Sequence, residues 1–270
     1  MTMQPIPRES ANDTDIPWYC PVGHELEVIE HAWKNQLPLL IKGPTGCGKS
    51  RLVAHAAARW GRDLVSVVCH DDTSTGDLLG RWLVRGGDTV WQDGPVTRAV
   101  RRGSVLYVDE IAEARPDVIV SLHPLTDHRR ELYLDRTDEV VRAPPGFQLV
   151  VSYNPGYQRG LKELRPSTRQ RFVTLVLTWP PPNVEVEVLI GETGVDKGIA
   201  KKLVSLGAKL READALGLIE APSTRLLVDA ACLIRTGMHP RLACQVGILQ
   251  ALTDEPDVAA AMQDIVNLVF

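Results

Sequence analysis

Residues 43–50 form a short glycine-rich motif that leaves few folds open to this chain. They match the pattern G-x-x-x-x-G-K-[ST]. An apolar run at residues 38–42 precedes them and is typical of a buried parallel strand. Residues 50–60 follow and favour a helix, because they are rich in Ala, Arg and Leu. The sequence therefore predicts a phosphate-binding loop between a strand and a helix.

The chemistry of phosphate binding explains these residue types. Glycines let successive backbone N–H groups point at the phosphates, and the following helix presents its positive end to the same anion. Lys49 should reach the β- and γ-phosphates, and Ser50 should offer its hydroxyl to Mg²⁺. We therefore expect ATP or ADP and Mg²⁺ as cofactors. The loop residues expected to bind the nucleotide are Gly43, Pro44, Thr45, Gly46, Cys47, Gly48, Lys49 and Ser50.

A pair of acidic residues follows a second predicted strand, residues 105–108. Asp109, at the carboxyl end of that strand, can hold Mg²⁺ directly or through water, and Glu110 can polarise the attacking water. This edge of the sheet is where α/β proteins bind ligands. Acidic residues also cap helices, but beside a phosphate-binding loop the pattern favours a catalytic pair.

Asn154 follows another predicted strand, residues 147–152. Its side-chain amide can orient the attacking water or contact the γ-phosphate. The dipeptide Asn154-Pro155 is also a common turn. The residues themselves leave both interpretations open.

Strands alternate with helices as far as residue 180. Further strands are predicted at residues 64–69 and 172–177, and the alternation predicts a parallel sheet with helices on both faces. Two predicted hairpins interrupt the alternation, at residues 81–91 and 131–142. The first hairpin carries a pair of tryptophans that suit either contact with a partner or cross-strand packing, Trp82 and Trp91.

Three consecutive prolines at residues 180–182 mark a boundary, because proline interrupts strands and stiffens linkers. Beyond it the pattern is helical at residues 183–192, 196–215, 223–236, 240–252 and 255–268. The expected organisation is a flexible tail over residues 1–16, an α/β nucleotide-binding domain over residues 17–180 and a small all-helical domain over residues 183–270.

Composition narrows the class of protein. Hydrophobic residues make up 44% of the 270 residues and charged residues 24%, as in soluble globular proteins. The net charge of -4 argues against a general nucleic-acid-binding surface. No stretch reaches the ~18 apolar residues needed to span a bilayer, and the five cysteines are scattered. We expect a cytoplasmic protein with neither a membrane nor a nucleic-acid partner.

Taken together, these motifs resemble an AAA+ ATPase, and the two hairpins resemble its MoxR branch. More narrowly, several strings are similar to the CbbQ/NirQ/NorQ family, at residues 20–25, 42–50, 91–95, 123–132, 152–158 and 165–172. The strings at 123–132 and 165–172 are the most specific. The resemblance covers almost the whole chain after residue 17.

The resemblance implies a ring-shaped homo-hexamer with ATP at the subunit interfaces. Asn154 matches the position called sensor 1. Arg171 matches the arginine finger that reaches the neighbouring subunit's γ-phosphate, and Arg169 is the rival for that role. An arginine there would stabilise the transition state of phosphoryl transfer.

Further site residues are implied by the same resemblance. Arg225, at the start of a helix in the second domain, matches the sensor-2 position and would contact the γ-phosphate within its own subunit. Val22 and Gly23 match the residues that hold adenine through backbone atoms.

Members of this family work with an adaptor that carries a von Willebrand factor A domain, the CbbO-like proteins. The client is Rubisco for CbbQ, from which inhibitory sugar phosphates are released, and nitric oxide reductase during maturation for NorQ and NirQ. The overall similarity of the strings favours the Rubisco-activating members. Two other classes stay open: a nucleotide-dependent scaffold with incidental hydrolysis, and a helicase-like motor, which the acidic charge disfavours.

Overall fold

A computed structural model describes residues 16–155, 163–213 and 221–270. These residues form two compact units. The first contains Gly23–Lys42 and Lys49–Val176, and the second contains Trp18–Val22, Gly43–Gly48 and Leu177–Phe270. The tail expected at residues 1–16 lies outside the described residues, except for Ile16.

The helices and strands follow the predicted alternation. The strands are β1 (Leu39–Lys42), β2 (Leu64–Val68), β3 (Gly80–Arg85), β4 (Asp88–Asp93), β5 (Val105–Asp109), β6 (Glu131–Leu134), β7 (Glu139–Arg142), β8 (Gln148–Tyr153) and β9 (Val173–Val176). The helices are α1 (Glu25–Lys34), α2 (Lys49–Arg59), α3 (Thr75–Leu79), α4 (Pro95–Arg102), α5 (Pro116–Ser121), α6 (Pro166–Arg169), α7 (Pro182–Thr193), α8 (Lys197–Glu212), α9 (Thr224–Arg235), α10 (Pro240–Cys244), α11 (Gln250–Leu252) and α12 (Pro256–Val269).

A parallel sheet in the order β2-β5-β8-β1-β9 organises the first unit and confirms the predicted α/β fold. Residues Val105 to Val108 of β5 are all at most 2% exposed. Because successive side chains of a strand point to opposite faces, both faces of the sheet are covered here. The carboxyl ends of β5 and β8 meet at one edge, which brings together the residues that follow these two strands.

Both predicted hairpins are confirmed as antiparallel pairs, β3 with β4 and β6 with β7. On the first, Trp82 pairs directly with Trp91, and their rings meet edge to face with centroids 5.5 Å apart. This is the cross-strand packing that the sequence left as one of two possibilities. Trp82 still keeps 46% of its surface exposed.

The second unit is built mainly from helices α7 to α12, as predicted. Its core includes Leu189, Leu203, Leu227, Ile248 and Met262, none of which is exposed. Burial of such side chains stabilises a fold by about 1.5–3 kcal/mol each. Asp196 caps the start of α8, and its carboxylate accepts hydrogen bonds from two backbone N–H groups of the first turn.

The single helix predicted at residues 240–252 is wrong in detail. The structure has α10, then a π-helical turn, Gln245–Leu249, and then α11. A Cβ built on Gly247 would lie 3.4 Å from the Cα of Ala230, so this turn packs closely against α9. None of the helices in the described parts of the chain is both long and apolar enough to cross a membrane.

Candidate functional site

The segment Gly43–Gly48 connects β1 with α2, as the motif predicted. Gly46 and Gly48 adopt positive φ angles of 68° and 96°, which glycine adopts without strain. α2 begins directly after the segment and runs for 11 residues, so the segment leads into the N-terminus of a helix, the end that favours anions. At this end of α2 Lys49 is only 6% exposed, whereas Ser50 is exposed.

Two carboxylates follow β5 at the same edge of the sheet. Asp109 is the last residue of the strand, and Glu110 has a left-handed backbone with φ 53°. Such a conformation costs a non-glycine residue about 1–2 kcal/mol. Burial raises the pKa of the Glu110 carboxyl, and the negative charge of Asp109 raises it further, while the charge of Lys49 and a hydrogen bond from Asn154 act in the opposite direction.

Asn154 connects the lysine with the glutamate. Its side-chain N–H donates to Oε1 of Glu110 at 3.0 Å, and its oxygen accepts from Nζ of Lys49 at 2.5 Å. The sequence left Asn154 open between a turn residue and a site residue. The structure places it in contact with both partners.

Sequence reasoning missed one residue of this cluster. The Ser152 hydroxyl donates to Oδ1 of Asp109 and is hydrogen-bonded to the hydroxyl of Tyr107 at 2.9 Å. Val108 of β5 pairs with Val151 of β8, so the residues after them, Asp109 and Ser152, lie side by side. A serine directly after the apolar residues 149–151 of β8 was the available signal, but its partner depended on the strand order.

The predicted cation fits this group of side chains. Mg²⁺ in nucleotide sites is held by one or two protein oxygens together with phosphates, rather than by a cage of protein ligands. In the described parts of the chain no group of three or more His, Cys, Asp or Glu side chains could hold a metal. Two adjacent, partly buried carboxylates, one with a raised pKa, favour a nearby positive charge. Asp109 and Ser50 are the residues that would hold it.

The two arginines proposed as fingers differ in exposure. Arg169 ends α6 and is half-buried, whereas the Arg171 side chain is 38% exposed. Nη1 of Arg171 lies 4.0 Å from Oδ2 of Asp127. That carboxylate hydrogen-bonds mainly with Arg129, at 2.6 Å, which lowers the pKa of Asp127 to about 2. Arg171 is thus loosely held at the surface.

In the second unit, the loop lies against the start of α9. A Cβ built on Gly46 would be 2.6 Å from Cβ of Ser223 and 3.4 Å from Cβ of Arg225. Nε1 of Trp179 donates to the backbone oxygen of Thr45 at 3.2 Å. Arg225 is exposed on the first turn of the helix. The structure therefore brings the predicted sensor-2 residue next to the loop.

The residues expected at the adenine belong to the segment before α1. Val22 is 46% exposed. The backbone N–H of Gly23 donates to a carboxylate oxygen of Glu25 at 2.7 Å. Glu25 itself is 4% exposed.

Comparisons with known proteins identify the family and support the fold. A family model described as AAA domain (dynein-related subfamily) matches residues 38–172, and one described as CbbQ/NirQ/NorQ C-terminal matches residues 185–269. In fold, the chain resembles a RuvB variant of Thermotoga maritima with a TM-score of 0.54 at 17% identity, covering 91% of this chain and 69% of that one.

Three relatives are similar over nearly their full length. The denitrification regulatory protein NirQ of Pseudomonas aeruginosa is 54% identical, over 93% of this chain and 97% of its own. The protein NorQ of Paracoccus denitrificans is 53% identical, over 95% of both chains. The protein CbbQ of Hydrogenophilus thermoluteolus is 47% identical, over 94% of this chain and 95% of its own. The chain therefore belongs to the CbbQ/NirQ/NorQ family of AAA+ ATPases.

Proposed function

We propose that this ATPase assembles into a homo-hexameric ring and uses hydrolysis of Mg-ATP to remodel and activate a client enzyme. One observation carries the hydrolytic part of the proposal. The side chains of Lys49, Asn154 and Glu110 form a hydrogen-bonded chain beside Asp109, at the carboxyl edge of the sheet. Each member has the chemistry that phosphoryl transfer requires.

Each residue of the site has its own role. Residues 43–50 hold the phosphates through backbone N–H groups, with Lys49 near the β- and γ-phosphates. Asp109 and Ser50 hold Mg²⁺, which when bound would neutralise the charge that develops on the phosphates. Glu110 polarises the attacking water, and its raised pKa suits a general base. Asn154 fixes the orientation of the Glu110 carboxylate.

Three further residues are assigned to the binding of the nucleotide. Arg225 contacts the γ-phosphate from its own subunit, and Val22 and Gly23 hold the adenine. The differential binding of ATP and ADP then shifts the ring between conformations.

Arg171 is the residue that acts on the neighbouring subunit. Its exposure and its 4.0 Å distance from Asp127 support this assignment, since a loose surface pair costs little to break. Arg169 is half-buried and therefore less able to reach a second subunit. The finger also gives a physical reason for a ring, because each site is then completed by the next subunit.

The glutamate provides the test of a motor against a scaffold. Glu110→Gln should keep ATP bound and lower phosphate release about 100-fold or more, the usual contribution of a general base. Glu187→Gln, an exposed glutamate of α7, is the matched control and should keep wild-type turnover. If Glu110→Gln still supported activation of the client, hydrolysis would be incidental and the scaffold would be the better explanation.

Of the two candidate clients, we propose nitric oxide reductase before Rubisco. The similarity of short strings favoured Rubisco, but identity over nearly the whole chain is 54% with NirQ and 53% with NorQ, against 47% with CbbQ. We propose that the ring reaches either client through a CbbO-like adaptor with a von Willebrand factor A domain, in the cytoplasm.

The choice of client is open to a direct experiment. The chain is co-expressed with its adaptor and with each client, and ATP-dependent gain of activity is measured beside the Glu110→Gln variant. Gain of nitric oxide reduction alone would support the proposal. ATP-dependent recovery of carboxylation by inhibited Rubisco alone would reverse the order of the two clients.

A further inference from the structure

A buried ion pair joins three helices of the second unit. Glu185 of α7 is 1% exposed, and its two carboxylate oxygens accept from the guanidinium of Arg211 at 2.7 and 2.8 Å. Arg211 lies in the last turn of α8. The hydroxyl of Thr224, the first residue of α9, donates to the same carboxylate at 2.6 Å. Nε of Arg211 donates to the backbone oxygen of Pro222 at 2.9 Å.

The same guanidinium is linked to the phosphate-binding loop. It lies over the ring of Trp179, 5.0 Å from the centroid, and Nε1 of Trp179 donates to the backbone oxygen of Thr45 at 3.2 Å. Gly46 lies next to Ser223. The loop is thus tied to the start of α9 by direct packing and by a path through Trp179 and Arg211.

Stabilisation of the fold does not by itself account for a buried ion pair. Charges that leave water lose hydration, so a buried ion pair is often no more stabilising than apolar residues of similar volume. What the pair does supply is directional bonding, because a planar guanidinium and a carboxylate fix each other's orientation. In this unit the pair is hydrogen-bonded to Pro222, which precedes α9, and to Thr224, the first residue of α9.

We propose that Glu185, Arg211 and Trp179 are positioning residues that hold the first turn of α9, and so Arg225, at a fixed place relative to the phosphate-binding loop. They do not touch the nucleotide. They act through Thr224, the residue before Arg225, and through Thr45 in the loop. Their role depends on the proposed contact between Arg225 and the γ-phosphate.

The proposed contact between Arg225 and the γ-phosphate predicts a specific defect in nucleotide binding. ATP has a γ-phosphate and ADP does not, so displacement of Arg225 should weaken ATP binding and leave ADP binding unchanged. Removing Glu185 would leave the buried guanidinium without its carboxylate and destabilise the whole unit. Thr224→Val is the better change, because it removes one hydroxyl and keeps the shape of the side chain. Arg211→Lys is a second one, since it keeps the charge but loses the planar fork.

The experiment measures dissociation constants of ATP and ADP by calorimetry on the full chain, with Glu110→Gln in every variant so that ATP is not consumed. Thr224→Val and Arg211→Lys should each lower the preference for ATP over ADP about tenfold, equivalent to ~1.4 kcal/mol. The matched control is Thr193→Val, another buried threonine of this unit, whose hydroxyl donates to the backbone oxygen of Leu189. It should keep the preference.

A double variant separates positioning from general damage. In the Arg225→Ala background, Thr224→Val should cause no further loss, because the residue through which it acts is already gone. Full additivity, an unchanged preference in Thr224→Val, or an equal loss in Thr193→Val would overturn the inference. If Arg225→Ala by itself left the preference unchanged, the proposed role of Arg225 would be wrong, and the positioning role would fall with it.

Discussion

Gly46 offers a quantitative test of how closely the loop packs against α9. It has φ 68°, and Gly194, the residue directly after α7 in the same unit, has φ 66°. An alanine at either position is strained by about 1–2 kcal/mol. Loss of freedom in the unfolded chain returns about 0.4–1 kcal/mol of that. The backbone contribution should therefore be nearly equal at the two positions, at about 1 kcal/mol.

The surroundings of the new methyl group differ. At Gly46 it would lie 2.6 Å from Cβ and 2.7 Å from Oγ of Ser223, whereas at Gly194 the nearest atom is Nη1 of Arg235 at 3.6 Å. Forcing a methyl into a packed site costs about 1–3 kcal/mol more. We expect Gly194→Ala to lower the free energy of unfolding by about 1 kcal/mol and Gly46→Ala by ~2–4 kcal/mol.

Urea unfolding of the full chain, followed by tryptophan fluorescence, measures the difference between the two variants. Calorimetric titration with ATP measures the second consequence. If α9 moves away to accommodate the methyl group, Arg225 is displaced and ATP binding weakens in Gly46→Ala but not in Gly194→Ala. The reasoning is refuted if the two alanines have the same effect on both unfolding and ATP binding.

Three further predictions concern the first unit. Asn154→Ala removes hydrogen bonds to two charged groups and should lower the rate of single-turnover hydrolysis about 100- to 1,000-fold, with a smaller effect on ATP affinity. Arg171→Ala should lower steady-state turnover about 1,000-fold, and Arg169→Ala much less. Burial, and then the charge of Arg171, lower the pKa of His123, so the unfolded chain binds a proton first and stability should fall as pH drops below the ordinary value of 6.5. His123→Gln should remove this part of the pH dependence, measured by urea unfolding between about pH 8 and pH 5.5.

For each of these three predictions, one result would contradict the reasoning. Asn35→Ala, at the end of α1, is the matched control for Asn154, and equal hydrolysis by the two variants would exclude the orienting role. A larger loss of turnover in Arg169→Ala than in Arg171→Ala would mean that Arg169, and not Arg171, is the arginine finger. An unchanged pH dependence of stability in His123→Gln would mean that other groups cause it.

Local patterns explain what the sequence predicted well. The spacing of the phosphate-binding motif, the short apolar strands and the two hairpins depend on residues close together in the chain. The second hairpin was predicted at residues 131–142, which are the outer bounds of β6 and β7 in the structure. The change from strands to helices after the prolines at 180–182 is of the same kind. The Arg225 and Arg171 positions came from family resemblance, and their roles remain proposals.

Contacts between distant residues were not predictable in this way. Lys49 and Asn154 are separated by 105 positions and meet only because β8 lies between β5 and β1. The bond from Ser152 to Asp109 depends on the register of β5 with β8. Neither the strand order nor the register is written in a local pattern, since every strand of this sheet is a similar apolar run.

The sequence alone determined the chemistry that this chain can perform, because the motif residues carry their reactivity with them wherever they are placed. Tertiary structure decided which of them act together. It joined Lys49, Asn154 and Glu110 in one hydrogen-bonded chain, and it paired Glu185 with Arg211 beneath the start of α9. The physical reason is that hydrogen bonds and ion pairs act over about 3 Å, a distance that chain connectivity fixes only between near neighbours and that packing must fix for all others.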